Sequence, residues 1–99
     1  MRMMLKVTIP VEAGNKAIKD GTLPRIIKNT IDRLKPESAY FLPEDGKRTG
    51  IFFFDMQNVS QIPAIVEPLF MGMNASLTMV PVMNAEDSQK GLAEAAKNF

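Results

Sequence analysis

The sequence of 99 residues contains no cysteine, no histidine and no tryptophan. Without cysteine the chain can form no disulfide, thiolate nucleophile or iron-sulfur cluster, and without histidine it lacks the commonest zinc and copper ligand. We therefore expect neither a metal nor another cofactor, and we take the cytoplasm as the default location.

The chain also has almost no excess of charge of one sign, since 12 Lys and Arg residues and 11 Asp and Glu residues give a net charge of +1. Such a chain has no strong field to attract nucleic acid or anionic lipid. The apolar N-terminus is interrupted at Lys6, Thr8 and Pro10, and the longest uncharged run, residues 68–85, is interrupted by prolines, a glycine and polar residues. We expect no signal peptide, no membrane span and no nucleic-acid partner.

What is present fits one globular domain over residues 1–99, because 45% of the residues are hydrophobic and 23% are charged. Residues 3–9 alternate apolar and polar side chains, which predicts a first strand. A short helix ending near Gly21 follows, and then a second helix with Thr22 as its N-cap, ending at Lys35-Pro36. Its predicted core stripe contains Ile27, Ile31 and Leu34, with Ile26 and Thr30 beside it.

The second half of the chain opens with two aromatic-rich runs joined by residues 44–47, which contain Asp-Gly and predict a hairpin. Ser60 is the expected N-cap of a further helix, whose stripe contains Ile62, Ile65, Val66, Leu69 and Phe70. Pro68 is expected to kink or end that helix. Residues 75–80 alternate as a fourth strand, and Asn84 begins a C-terminal helix.

The predicted order βαββαβ with an extra C-terminal helix is a ferredoxin-like α+β arrangement with one four-stranded antiparallel sheet. Right-handed crossovers favour the strand order 4-1-3-2. This order puts Pro43 and Pro81 on edge strands, where a missing amide donor is tolerated.

The run Ile51 to Phe54 makes both faces of the third strand apolar, whereas both crossovers put their helices on the same face. Covering about 500 Å² of the other face would be worth roughly 10 kcal/mol before association costs. We therefore predict a homodimer whose sheets face each other. Because Lys6, Thr8, Ser76 and Thr78 also belong to this face, water or a small apolar or aromatic ligand is expected in part of the gap.

Candidate site residues follow from that cavity. Lys6 is the candidate for binding an anion or acting as a base, Tyr40 for donating its hydroxyl, and Glu67 for general acid or base chemistry at a kink before Pro68. Substrate contacts are assigned to Met4, Thr8, Phe52, Phe54 and Thr78. For each of them, ordinary packing or solvation is the competing interpretation, and the register of the third strand is open.

The motifs "DGTLPRIIKNTIDRLKPESAYF", "GKRTGIFFFDM" and "SQIPAIVEPLF", from Asp20 to Phe70, and "PVMNAEDSQKGL" near the C-terminus resemble a group of small uncharacterised bacterial proteins. That group looks like part of the dimeric α+β-barrel superfamily, which is similar to muconolactone isomerases, antibiotic-biosynthesis-type monooxygenases, haem-degrading enzymes and stress-responsive barrel proteins. The resemblance implies the fold, the dimer and small aromatic or polyketide-like ligands. It transfers no catalytic residue, and the lack of histidine removes a haem ligand.

Two functions of different class follow. One is a cofactor-independent isomerase or monooxygenase-like enzyme acting between the sheets, with Lys6 and Tyr40 as polar contacts. The other is a non-catalytic barrel that binds a small molecule or serves as an interaction module. An enclosed cavity with a titrating group would favour the enzyme, and a filled interface would favour the module.

Overall fold

The computed structural model describes all 99 residues, Met1–Phe99. Its strands are β1 (Arg2–Ile9), β2 (Ser38–Glu44), β3 (Lys47–Asp55) and β4 (Ser76–Pro81), and its helices are α1 (Val11–Lys19), α2 (Thr22–Leu34), α3 (Ile62–Met73) and α4 (Ala85–Ala96). The predicted α+β class with a four-stranded antiparallel sheet is confirmed, and the arrangement is compatible with a ferredoxin-like fold.

The strands lie in the order β2-β3-β1-β4, so β2 and β4 form the edges and carry Pro43 and Pro81. β2 and β3 are joined by a two-residue turn, Asp45-Gly46, whose φ angles are 51° and 74°. Positive φ at both positions is what this tight hairpin requires, and Asp and Gly are among the residues that tolerate it best.

One face of the sheet lies under α1, α2 and α3 and holds the core. β1 contributes every second residue to it, and β3 adds Phe52 and Phe54 opposite Leu5 and Met3. Leu5 is fully buried. The period-two pattern of β1 therefore reports its buried face correctly. We call this side of the sheet the helix face.

The helices differ from the predictions in three details. On α2, Thr30 and Leu34 of the predicted stripe are buried, and Ile26 and Ile27 pack against the core. Ile31, which was also predicted there, is 37% exposed. α3 begins at Ile62 after a short 3-10 turn that is capped by Asn58 rather than Ser60. Phe70, predicted in the core stripe of α3, is largely exposed.

Of the two outcomes expected at Pro68, a kink or an end of the helix, the end is wrong, because α3 continues through Pro68 to Met73. Pro68 has no amide hydrogen to donate within the helix, but Leu69 and Met73 of the following turn are buried against the sheet. Burial of these side chains outweighs the lost hydrogen bond. Residue 74 ends the helix in the left-handed region, with φ 53° at Asn74.

α4 begins with a capping box in which Asn84 and Asp87 each accept a hydrogen bond from the other's backbone N–H. None of its residues is buried, and the exposed Leu92 and Phe99 have no partner in the chain. The Cα radius of gyration is 16.0 Å, above the roughly 13 Å typical of a compact chain of about 100 residues. α4 therefore projects from the body of the domain.

Candidate functional site

Two surfaces of the sheet are candidates for a site. The first is the open face, opposite the helices. By register and alternation its central residues are Met4, Lys6, Thr8, Ser38, Tyr40, Leu42, Glu44, Thr49, Ile51, Phe53, Ser76, Thr78 and Val80. The second is a hollow on the helix face, described below as the helix-face cavity.

Five of the predicted site residues lie together on the open face. Thr78, Lys6 and Tyr40 share one row across the strands, with Ile51 between Lys6 and Tyr40. Met4 and Thr8 lie in the adjacent rows of β1, and both are half-buried. These five predicted site residues therefore share one face of the sheet.

Lys6 is not a free cation on this face. Its ammonium reaches across β3 and donates a hydrogen bond to the Glu44 carboxylate on the edge strand, and both side chains remain about one-third exposed. An anionic ligand would have to compete with Glu44 for Lys6. The tyrosine is 62% exposed, so it is open to a partner or a ligand.

Three predicted site residues lie elsewhere. Phe52 and Phe54 are 3% and 2% exposed and belong to the helix face, so the assignment of both to a cavity between two sheets is wrong. The reason is register, since Phe52 pairs with Leu5 and the odd-numbered Ile51 and Phe53 take the open face instead. Glu67 is exposed on α3, on the opposite side of the sheet from Lys6. It cannot share a site with Lys6 and Tyr40.

The helix-face cavity lies between α2 and the β2–β3 hairpin and has a volume of about 420 Å³. Its apolar lining comes from β1, the hairpin, α2 and α3 and consists of Val7, Ile9, Leu23, Ile26, Ile27, Phe41, Leu42, Phe52, Leu69 and Met73. Ligand cavities in proteins commonly measure about 300 to 1,000 Å³ and are lined in this way.

One wall of the cavity is shaped by the missing side chain of Gly50. Gly50 occupies the helix face of β3 between Arg48 and Phe52, and a Cβ atom there would lie 3.2 Å from the Phe52 ring and 3.3 Å from the Phe41 ring. The two rings meet edge to face with centroids 5.7 Å apart. They form an aromatic wall above the Gly50 backbone.

The polar groups of the lining are few. Thr30 donates its hydroxyl hydrogen to the carbonyl oxygen of Ile26 at 2.8 Å and is thereby satisfied. Arg48 is the one charged residue of the lining. Sequence reasoning missed this cavity, because Gly50 and Arg48 interrupt the apolar pattern and its walls come together only in the tertiary structure.

No protein-family model, curated protein or solved structure matches this chain. Its function has to be argued from the geometry.

The chain holds no group of three or more Asp and Glu side chains placed to bind a metal ion. None of its helices combines the length and the apolar composition needed to cross a bilayer.

Proposed function

We propose that this protein binds a small, largely hydrophobic molecule in the helix-face cavity and forms a homodimer through the open face of its sheet. The observation that carries the proposal is the cavity of about 420 Å³, walled by apolar side chains that include the Phe41 and Phe52 rings. The proposal selects a binding module over an enzyme, because no Asp, Glu, Lys or Tyr lines the cavity to act as an acid or a base.

The dimer is supported by the composition of the open face. Met4, Ile51 and Phe53 are half-buried there without a covering layer, and Val80 is more exposed still. Four strands about 4.8 Å apart and seven residues long give a face of roughly 20 by 23 Å. Two such faces are near the lower limit of about 1,000 Å² for a specific interface.

The projecting helix α4 adds contact area to a dimer interface that the two sheet faces alone would leave small. Leu92 is 67% exposed and Phe99 is fully exposed, and a helix of 12 residues is only marginally stable when it packs on nothing. In the proposed dimer α4 packs on the partner. With facing sheets this assembly would be a dimeric α+β barrel, and the absence of cysteine is compatible with a cytoplasmic location.

A second candidate is a ligand site between the two facing sheets, with catalysis at Lys6 and Tyr40. The observation that favours it is the polar row Thr78, Lys6 and Tyr40, which would be expensive to bury dry. The hydrogen bond from Lys6 to Glu44 weighs against it, because the ammonium is already engaged.

The ligand proposal is tested by calorimetric titration with 2-naphthamide, an uncharged aromatic probe. Ile27→Phe adds a ring to the cavity wall and is expected to abolish binding, whereas Met71→Phe, which puts a ring at an 83% exposed position of α3 outside the lining, should leave it unchanged. Circular dichroism establishes that both variants are folded. Absence of binding to the parent protein, or equal binding to both variants, would refute the cavity as the site.

A further inference from the structure

We infer that the helix-face cavity selects ligands that carry a carboxylate, and that Arg48 is the residue that recognises it. This inference rests on the proposed ligand cavity and names the chemical class of its occupant. It is carried by the position, the hydrogen bonds and the unpaired charge of Arg48.

Arg48 belongs to the lining of an otherwise apolar cavity. It lies on β3 between Ile9 of β1 and Pro43 of β2, with its side chain on the helix face. A ligand whose body contacts the Phe41 and Phe52 wall would have Arg48 at its polar end, since Gly50, the next position on that face of β3, has no side chain.

The guanidinium of Arg48 is held in place by two hydrogen bonds and still has free N–H donors. Nη1 donates to the carbonyl oxygen of Val11 at 3.4 Å, and Nη2 donates to Oδ1 of Asn15 at 3.0 Å. A guanidinium has five N–H donors, so these two contacts with α1 leave three of them available. The anchoring also lowers the entropy cost of binding a ligand.

Its charge has no partner in the chain. The ion pairs of the protein are those of the N-terminus with Asp55, Arg2 with Glu37, Lys6 with Glu44, Lys28 with Asp32 and Lys97 with Glu94, and Arg48 is in none of them. A guanidinium with free donors and an unpaired charge suits a carboxylate better than a neutral acceptor.

Gly14 fits this interpretation. Arg48 packs across α1 at this buried glycine, and a Cβ atom there would lie only 2.6 Å from Nη1 of Arg48. Alanine is the better helix former, but glycine at position 14 leaves room for the Arg48 side chain. The clash would fall on the far end of a flexible side chain, so Gly14→Ala should displace Arg48 and leave the fold intact.

The test compares 2-naphthoate with 2-naphthamide, which share the ring system and differ in charge, by calorimetric titration of the full chain. The parent protein is expected to bind the carboxylate at least about tenfold more tightly than the amide, because a charge-assisted contact adds to the shared apolar one. Arg48→Gln and Gly14→Ala should each remove this preference, because each weakens carboxylate binding more than amide binding. Arg25→Gln, which removes an exposed arginine of α2 outside the cavity, should preserve it.

The outcomes separate the two proposals. If the amide binds and the carboxylate binds no better, or if Arg48→Gln and Gly14→Ala both leave the preference intact, the role of Arg48 is refuted while the cavity stands. If neither probe binds the parent protein, both proposals fail.

Discussion

Single residues decide which of the apolar surfaces is a core, a cavity or an open face. The run Ile51 to Phe54 is the clearest case, since its alternate residues go to opposite faces. The sequence predicts that both faces are apolar, and the structure agrees. The register was not predictable from the run itself, because shifting it by one residue leaves either face equally apolar.

At the residue scale, the pKa of the Asp20 carboxylate, which lies just before α2, can be tested directly by varying the pH. A hydrogen bond from the Thr22 side chain and a second from the Thr22 backbone N–H, at 2.9 Å, hold the pKa of Asp20 below its usual value. Because the folded-state pKa is lowered, this interaction stabilises the fold above the usual Asp pKa of about 3.9 and is lost as the pH falls through the lower, folded-state value.

We expect an NMR titration of the Asp20 carboxyl carbon to give a pKa below the ordinary value. Thr22→Val removes the hydroxyl and keeps the backbone donor, so it should move the pKa of Asp20 part of the way back. Ser88→Ala, a hydroxyl deletion on α4, serves as the control and should leave Asp20 unaffected. An Asp20 pKa that does not respond to Thr22→Val would contradict the assignment.

At the scale of elements, period-two strands were predicted better than helix faces. The alternation of β1 is regular, and one register of it buries four apolar residues. The stripe of α2 was predicted except at Ile31, because Ile26, Ile27 and Ile31 offer several apolar arcs and the choice among them is made by packing. Gly72 contributes to that choice, since a Cβ atom there would lie 2.6 Å from Cδ1 of Ile26.

Pro68 gives the prediction at this scale. It lies inside α3 on its exposed side, where it removes one helical hydrogen bond without filling the core. Pro68→Ala restores the donor and is expected to raise the free energy of unfolding by about 1 to 3 kcal/mol in urea denaturation. Pro63→Ala, in the first turn of the same helix, removes a proline where no donor is needed and should bring no gain. Equal effects of both substitutions would contradict this account of α3.

At the scale of the molecule, the open face and α4 are the two exposed apolar surfaces on which the proposed dimer rests. The open face and α4 lack cover, whereas the helix-face cavity is partly enclosed. The uncovered sheet face was predictable, since counting crossovers shows that all three helices between strands lie on one side. The cavity was not, because it depends on Gly50, on the Phe41 ring and on the distance of α2 from the hairpin.

The proposed dimer is tested by size-exclusion chromatography with light scattering at micromolar concentrations. The parent protein is expected at the mass of two chains, about 22 kDa, from a chain mass of 11.0 kDa. Phe53→Lys puts a charge on the open face and should give the monomer mass, while Val59→Lys, at an exposed position of the 3-10 turn, should leave the dimer intact. A single monomer peak for the parent protein would refute the dimer.

The central claim is that a ligand enters the helix-face cavity rather than the space at the open face, and two methionines report on the two places. Met73 lines the cavity and Met4 lies on the open face. In a spectrum of the protein with ¹³C-labelled methionine methyl groups, we expect 2-naphthamide to shift the Met73 signal by its ring current and to leave the Met4 signal in place. A shift of Met4 with Met73 unmoved would contradict the claim and locate the ligand between the sheets.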